Sequence, residues 1–141
     1  TKWLSDLKDT ASQGLYLVGG WVLGHVGEMP ETLIFPENTI GICDVFALRI
    51  AYTSYYNVKK VVLNEGLKYI NYDAFEYFIG LTEVNLPASL EVIESEAFDG
   101  CFNIERFTVA DGNAKFSATD GVLYNKEKTE RIEPYESPAA W

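Results

Sequence analysis

Three kinds of side chain in this 141-residue sequence could do chemistry: one imidazole, His25; two thiols, Cys43 and Cys101; and the oxygen-bearing loop DGNAKFSATD at residues 111–120. Their number and spacing argue against each use. A lone imidazole leaves no second ring for a metal pair. A nucleophile–histidine–acid set would have to be gathered from scattered serines and carboxylates, and no G-x-S-x-G turn marks a nucleophile. His25, just after a glycine-rich apolar run, reads as an ordinary surface or edge histidine. A calcium loop of the EF-hand type wants oxygen ligands at alternate positions followed by glycine. Here Lys115 stands where a third ligand is needed and Phe116 follows, so the motif fails. No catalytic residue, metal site or cofactor is expected.

Charge narrows the classes of partner. Eleven basic against 21 acidic residues leave a net charge of −10, which repels phosphate backbones and anionic headgroups. Nucleic acid is excluded on that ground. No apolar run approaches the ~20 residues of a membrane-spanning helix, so membrane insertion is not expected. The opening TKWLSDLKDTASQG lacks the basic start and apolar core of a signal peptide, so a secreted protein containing this sequence would carry it as a mature or excised piece.

What must position any functional residue is a repeat. VVLNEGLKYINYDAF, residues 61–75, is echoed by VNLPASLEVIESEAF, residues 84–98. At a fixed offset of 23, Val61, Leu63, Leu67, Ile70, Ala74, Phe75 and Leu81 return as Val84, Leu86, Leu90, Ile93, Ala97, Phe98 and Ile104. Val84 and Leu86 return once more as Phe107 and Val109. An earlier copy, LIFPENTIGICDVF, starts at Leu33, which makes four rungs. A period of this length suits a leucine-rich solenoid, whose units bury an apolar face only by stacking.

Within a rung, LTEVNLP alternates apolar Val84 and Leu86 with polar Glu83 and Asn85, as a strand with one buried face does. Pro87 ends it, LEVIES forms a second extended stretch, and EAFDGCFN should make a tight helical turn that drives Phe98 inward. The expected fold is therefore a strand-rich α/β leucine-rich repeat solenoid, with two narrow parallel sheets joined by helical or 3₁₀ turns. Phe35, Phe75, Phe98, Phe107 and Phe116 fall at inward positions. The chain reads as a single domain over 1–141: an N-terminal hairpin at 14–30 signalled by Gly19-Gly20, repeats at 33–110, and a C-terminal hairpin at 116–135. Cys43 and Cys101 sit two rungs apart, roughly 10 Å by stacking alone, beyond the ~7 Å between Cα atoms that a disulfide spans. They read as buried thiols acting as small apolar fillers.

The repeat L-x-x-V-x-L-P-x-x-L-x-x-I-x-x-x-A-F-x-x-C from Leu81 to Cys101, the DGVLYNK hairpin at 120–126 and the MPETLIFPENTIGI segment at 29–42 resemble the BspA-like leucine-rich repeat family, from Trp3 to Tyr135. The first repeat departs from the pattern by five extra residues, and the second has Phe78 at the cysteine position. The resemblance implies a secreted or cell-surface bacterial protein with an adhesion or binding role. Trp3 resembles the end of a preceding unit and YESPAAW the start of another, as in a fragment of a longer protein.

Residues 23 apart become neighbours, which organises the surface. Lys60, Glu83 and Arg106 should form a column of alternating sign, and Lys68 should face Glu91; such pairs help to fix register. Asp73 beside Glu96 and Glu76 beside Asp99 stack like charges, which splay into solvent or share a cation. Val62 and Ile34 should point outward beside Asn85 and Thr108, giving an apolar–polar strip. Tyr52, Tyr55 and Tyr56 crowd into the five-residue insertion, and Tyr72 and Tyr77 occupy turn positions. Tyrosines on a loop offer rigid contact area with a polar tip, and they equally cover the side of an irregular rung. The candidate ligand-binding set is thus Ile34, Val62, Asn85, Thr108, Tyr52, Tyr55 and Tyr56. A protein ligand is the expected partner. A glycan held by the tyrosines and a passive spacer role are the alternatives.

Overall fold

A computed structural model describes residues 14–25, 29–43, 54–72 and 74–133. Twelve strands run through them: β1 (Leu15–Val18), β2 (Trp21–His25), β3 (Thr32–Ile34), β4 (Gly41–Ile42), β5 (Lys60–Val62), β6 (Tyr69–Ile70), β7 (Glu83–Leu86), β8 (Val92–Ile93), β9 (Arg106–Val109), β10 (Phe116–Thr119), β11 (Val122–Asn125) and β12 (Arg131–Glu133). They form three sheets, ordered β1-β2-β4-β6-β8, β3-β5-β7-β9 and β10-β11-β12.

The chain alternates between the first two sheets. From β2 onward in one and throughout the other, successive strands are parallel, so residues at equal positions in consecutive units lie side by side. In the four-stranded sheet Leu33 neighbours Val61, Val61 neighbours Val84, and Val84 neighbours Phe107. In the other, Val22, Ile42, Ile70 and Ile93 form the matching row. Both rows point into one core, where Leu33, Val61, Val84, Val22, Ile42 and Ile70 are fully buried. Strand alternation dictates this, since every second side chain must leave the core face. Ile93 is only half-buried: among the described residues β8 is the last strand of its sheet, with no further strand paired to it.

Aromatic rings fill the core between the sheets. Phe75 stacks on Phe98 at 5.3 Å and meets Phe35 and Phe78 edge-on at 5.9 and 5.3 Å. Phe98 meets Phe107 edge-on at 5.4 Å. These are the offset and T-shaped arrangements that the ring quadrupole favours.

The turns differ from expectation. Among the described residues the repeats carry a single helical element, a 3₁₀ turn at Ser54–Asn57. The segment after β8 is a series of tight turns, with Ala97 N–H donating to Glu94 O, Asp99 to Glu96 O and Cys101 to Phe98 O. Left-handed backbone at Glu96 (φ 63°) and Gly100 (φ 77°) interrupts the right-handed run a helix needs. Phe98 nevertheless reaches the core.

Antiparallel strands stand at both ends. β1 and β2 pair across Gly19-Gly20, whose φ values of 57° and 86° give the primed turn that matches strand twist. At the other end β10, β11 and β12 make a three-stranded antiparallel sheet, one strand more than a hairpin. Asn113 leads into it. Its amide donates to Pro87 O and Leu90 O, while its carbonyl oxygen accepts from Lys115 and Phe116 N–H. The loop rejected as a calcium site is thus a bracket between the last repeat and the terminal sheet.

Two further positions differ from expectation. His25, the last residue of β2 and opposite Leu15 of β1, is 4% exposed and so is no surface histidine. Cys43 and Cys101 are half-buried rather than buried, each held by a polar contact: Asn71 Nδ2 lies 3.8 Å from Cys43 Sγ, and Cys101 Sγ donates to Phe75 O at 3.0 Å.

Candidate functional site

The outer face of the sheet β3-β5-β7-β9 carries two cross-strand rows. The first is Thr32, Lys60, Glu83 and Arg106 in register. Arg106 Nη2 lies 3.1 Å from Glu83 Oε1, an exposed pair of small energetic weight. The corresponding pair on the other sheet, Lys68 and Glu91, is looser at 3.6 Å.

The second row is Ile34, Val62, Asn85 and Thr108, also in register. Ile34 is 44% and Val62 37% exposed, so an apolar step does face solvent. Beyond it the Thr108 hydroxyl donates to Asn85 Oδ1. That bond orients the Asn85 amide and leaves its N–H₂ available to a ligand on the strip.

The tyrosines lie elsewhere. Tyr52 falls outside the described residues. Tyr55 and Tyr56 belong to the 3₁₀ turn, and Tyr56 is 44% exposed. This turn precedes β5, whereas Val62 ends that strand. The charged row lies between, so Tyr56 and the strip stand at opposite ends of the strand. Gly80 fixes the turn: a Cβ there would come within 2.3 Å of Tyr56 O. Of the remaining turn tyrosines, Tyr72 donates its hydroxyl to Glu96, and Tyr77 adopts φ 60° with its ring over Gly100, where a Cβ would be 2.1 Å away. Asp73, half of one like-charge pair, is outside the described residues. Among the described residues no group of three or more His, Cys, Asp or Glu could hold a metal ion.

The opposite face carries a row that the sequence reading missed. Val18, Trp21, Gly41, Tyr69 and Val92 are neighbours across β1, β2, β4, β6 and β8. The Trp21 ring leans over Gly41 and stacks on Tyr69 with centroids 5.5 Å apart and planes 6° apart. A Cβ at Gly41 would meet that ring at 2.3 Å, so only glycine fits beneath it. From Trp21 to Gly41 and from Gly41 to Tyr69 the offsets are 20 and 28 residues, not 23, so a search at one period passes over that pair of steps.

No curated protein matches the sequence. Among solved structures, the crystal structure of the pneumococcal vaccine antigen PcpA is similar, with a TM-score of 0.57 and 24% identity over 78% of this chain. The chain corresponds to 26% of that protein's length, and the likeness is one of fold. No helix among the described residues is long and apolar enough to cross a membrane. A family-wide sequence model described as "BspA type Leucine rich repeat region" matches residues 49–137 in six copies, well over half of the sequence. With its parallel strands and in-register apolar rows, the chain belongs to the BspA-type leucine-rich repeat family.

Proposed function

We propose that this chain is a non-catalytic binding segment of a secreted or cell-surface bacterial protein, coiled as a solenoid of 23-residue turns and recognising a protein ligand through the outer face of β3-β5-β7-β9. The observation that carries this reading is the exposed Ile34–Val62 step beside the oriented Asn85 amide. An apolar patch rimmed by polar groups is what a protein interface offers at its centre. The extracellular setting draws on the family and on the similar vaccine antigen, since a useful antigen is one that antibodies can reach. Adhesion is the role that follows from such a setting.

A second reading is supported by the Trp21–Tyr69 stack and exposed Tyr56: aromatic surfaces of this kind suit a glycan. Probing protein and glycan arrays with the same labelled chain separates the two. Protein capture that survives excess free sugar supports the first reading. Val62→Lys should weaken that capture about tenfold, roughly 1.4 kcal/mol, with an unchanged unfolding midpoint. Binding confined to glycans would shift the site to the aromatic groups, and binding to neither array would favour a spacer.

A further inference from the structure

The two parallel sheets end differently. On β9, the Phe107 N–H donates across the outer edge to Gly121 O at 2.9 Å, so the terminal sheet closes that edge. On β8, the Glu91 and Val92 N–H groups donate inward to Lys68 O and the Glu94 N–H to Ile70 O. Alternate residues of a parallel strand direct their N–H and C=O to opposite sides, so Ile93 presents both on the outer edge. There the chain leaves a trough of about 540 Å³ between β8 with its following turn and β12, lined by Ile93, Glu94, Ser95, Glu96, Glu130, Arg131 and Ile132.

We propose that this trough takes an extended basic peptide, which adds to β8 as a further strand. Three features fix the character of the occupant. The outward N–H and C=O of Ile93 offer a strand edge of the kind that accepts main-chain pairing. Ile93 and Ile132 pack on the core and give the trough an apolar wall for alternate side chains of the added strand. Three carboxylates against one guanidinium make the lining acidic, so the other side chains should be lysine or arginine. A second copy of this chain, with net charge −10, is disfavoured by the same field. This surface is distinct from the strip at Ile34 and Val62, and the proposal does not depend on it.

The test is a titration with a short fluorescent peptide of alternating valine and lysine, alongside a version with glutamate for lysine and one interrupted by proline. The valine–lysine peptide should bind saturably, the glutamate peptide should not, and the proline peptide should bind at least about tenfold more weakly, because it cannot complete the pairing. Glu94→Lys and Glu130→Lys, both exposed positions outside the core, should each weaken binding about tenfold. Hydrogen exchange at the Ile93 amide should be fast in the unbound protein and slow at least about tenfold on binding. Four results would overturn the proposal: no binding of the valine–lysine peptide, equal binding of the proline version, binding that leaves Ile93 exchange unchanged, or an Ile93 amide already protected without peptide.

Discussion

Asn113 shows what a single polar side chain can do in a stack of this kind. It is 2% exposed and uses both ends of its amide, as donor to the carbonyls of Pro87 and Leu90 and as acceptor from Lys115 and Phe116. Asn64, nearer the start of the stack, has a related role, donating to the Glu37, Thr39 and Glu65 carbonyls. Removing the Asn113 amide would strand buried backbone groups, each costing ~1–3 kcal/mol when unsatisfied. Asn113→Ala should therefore lower stability by about 3 kcal/mol in a denaturant titration, and a loss under about 1 kcal/mol would show that the bracket is dispensable. Nothing in DGNAKFSATD announces this role, because the acceptors of the Asn113 amide lie 23 and 26 residues back in the chain. The burial of Phe35, Phe75, Phe98, Phe107 and Phe116 was readable, since each stands at an inward position of an apolar pattern. The burial of His25 was not: it stands opposite Leu15 in the hairpin, and nothing in the glycines around it marks the position as covered.

At the scale of the strand, register was legible wherever apolar residues recur at one offset. Val61, Val84 and Phe107 lie side by side as their sequence positions foretell, and so do Lys60, Glu83 and Arg106. A slip by one residue would turn Leu33, Val61 and Val84 out to solvent, so the buried face enforces the pairing. The charged row adds a smaller preference that can be reversed. Glu83→Lys would place Lys60, residue 83 and Arg106 as three like charges on adjacent strands. It should cost about 0.5–1 kcal/mol at low ionic strength and less at high salt. A salt-independent loss would mean that packing, not charge, is disturbed. Turns were less legible than strands. Their conformation hangs on single left-handed residues such as Tyr77 and Glu96, both non-glycine types that rarely adopt positive φ and whose sequence gives no warning of it.

Over the whole molecule, the recurrent difficulty of a parallel stack is its ends, because each unit buries an apolar face only against its neighbours. The N-terminal hairpin covers one end of the five-stranded sheet by turning β1 back antiparallel to β2. The terminal three-stranded sheet covers the far end of the four-stranded one: Gly121 accepts from Phe107, and Phe116 and Leu123 join the common core. A backbone edge with an apolar face behind it is a template for pairing with other chains, so this cover should guard solubility as well as stability. Ending the chain after Gly112 would expose the β9 edge and uncover Phe107 together. It would also cost Asn113 and its bonds to the last repeat. The shortened protein should lose its cooperative unfolding transition and elute from size exclusion as oligomers, with light scattering rising with concentration. A monomeric, cooperatively folding product would show instead that the repeats hold their own end, and that the terminal sheet serves some purpose other than closure.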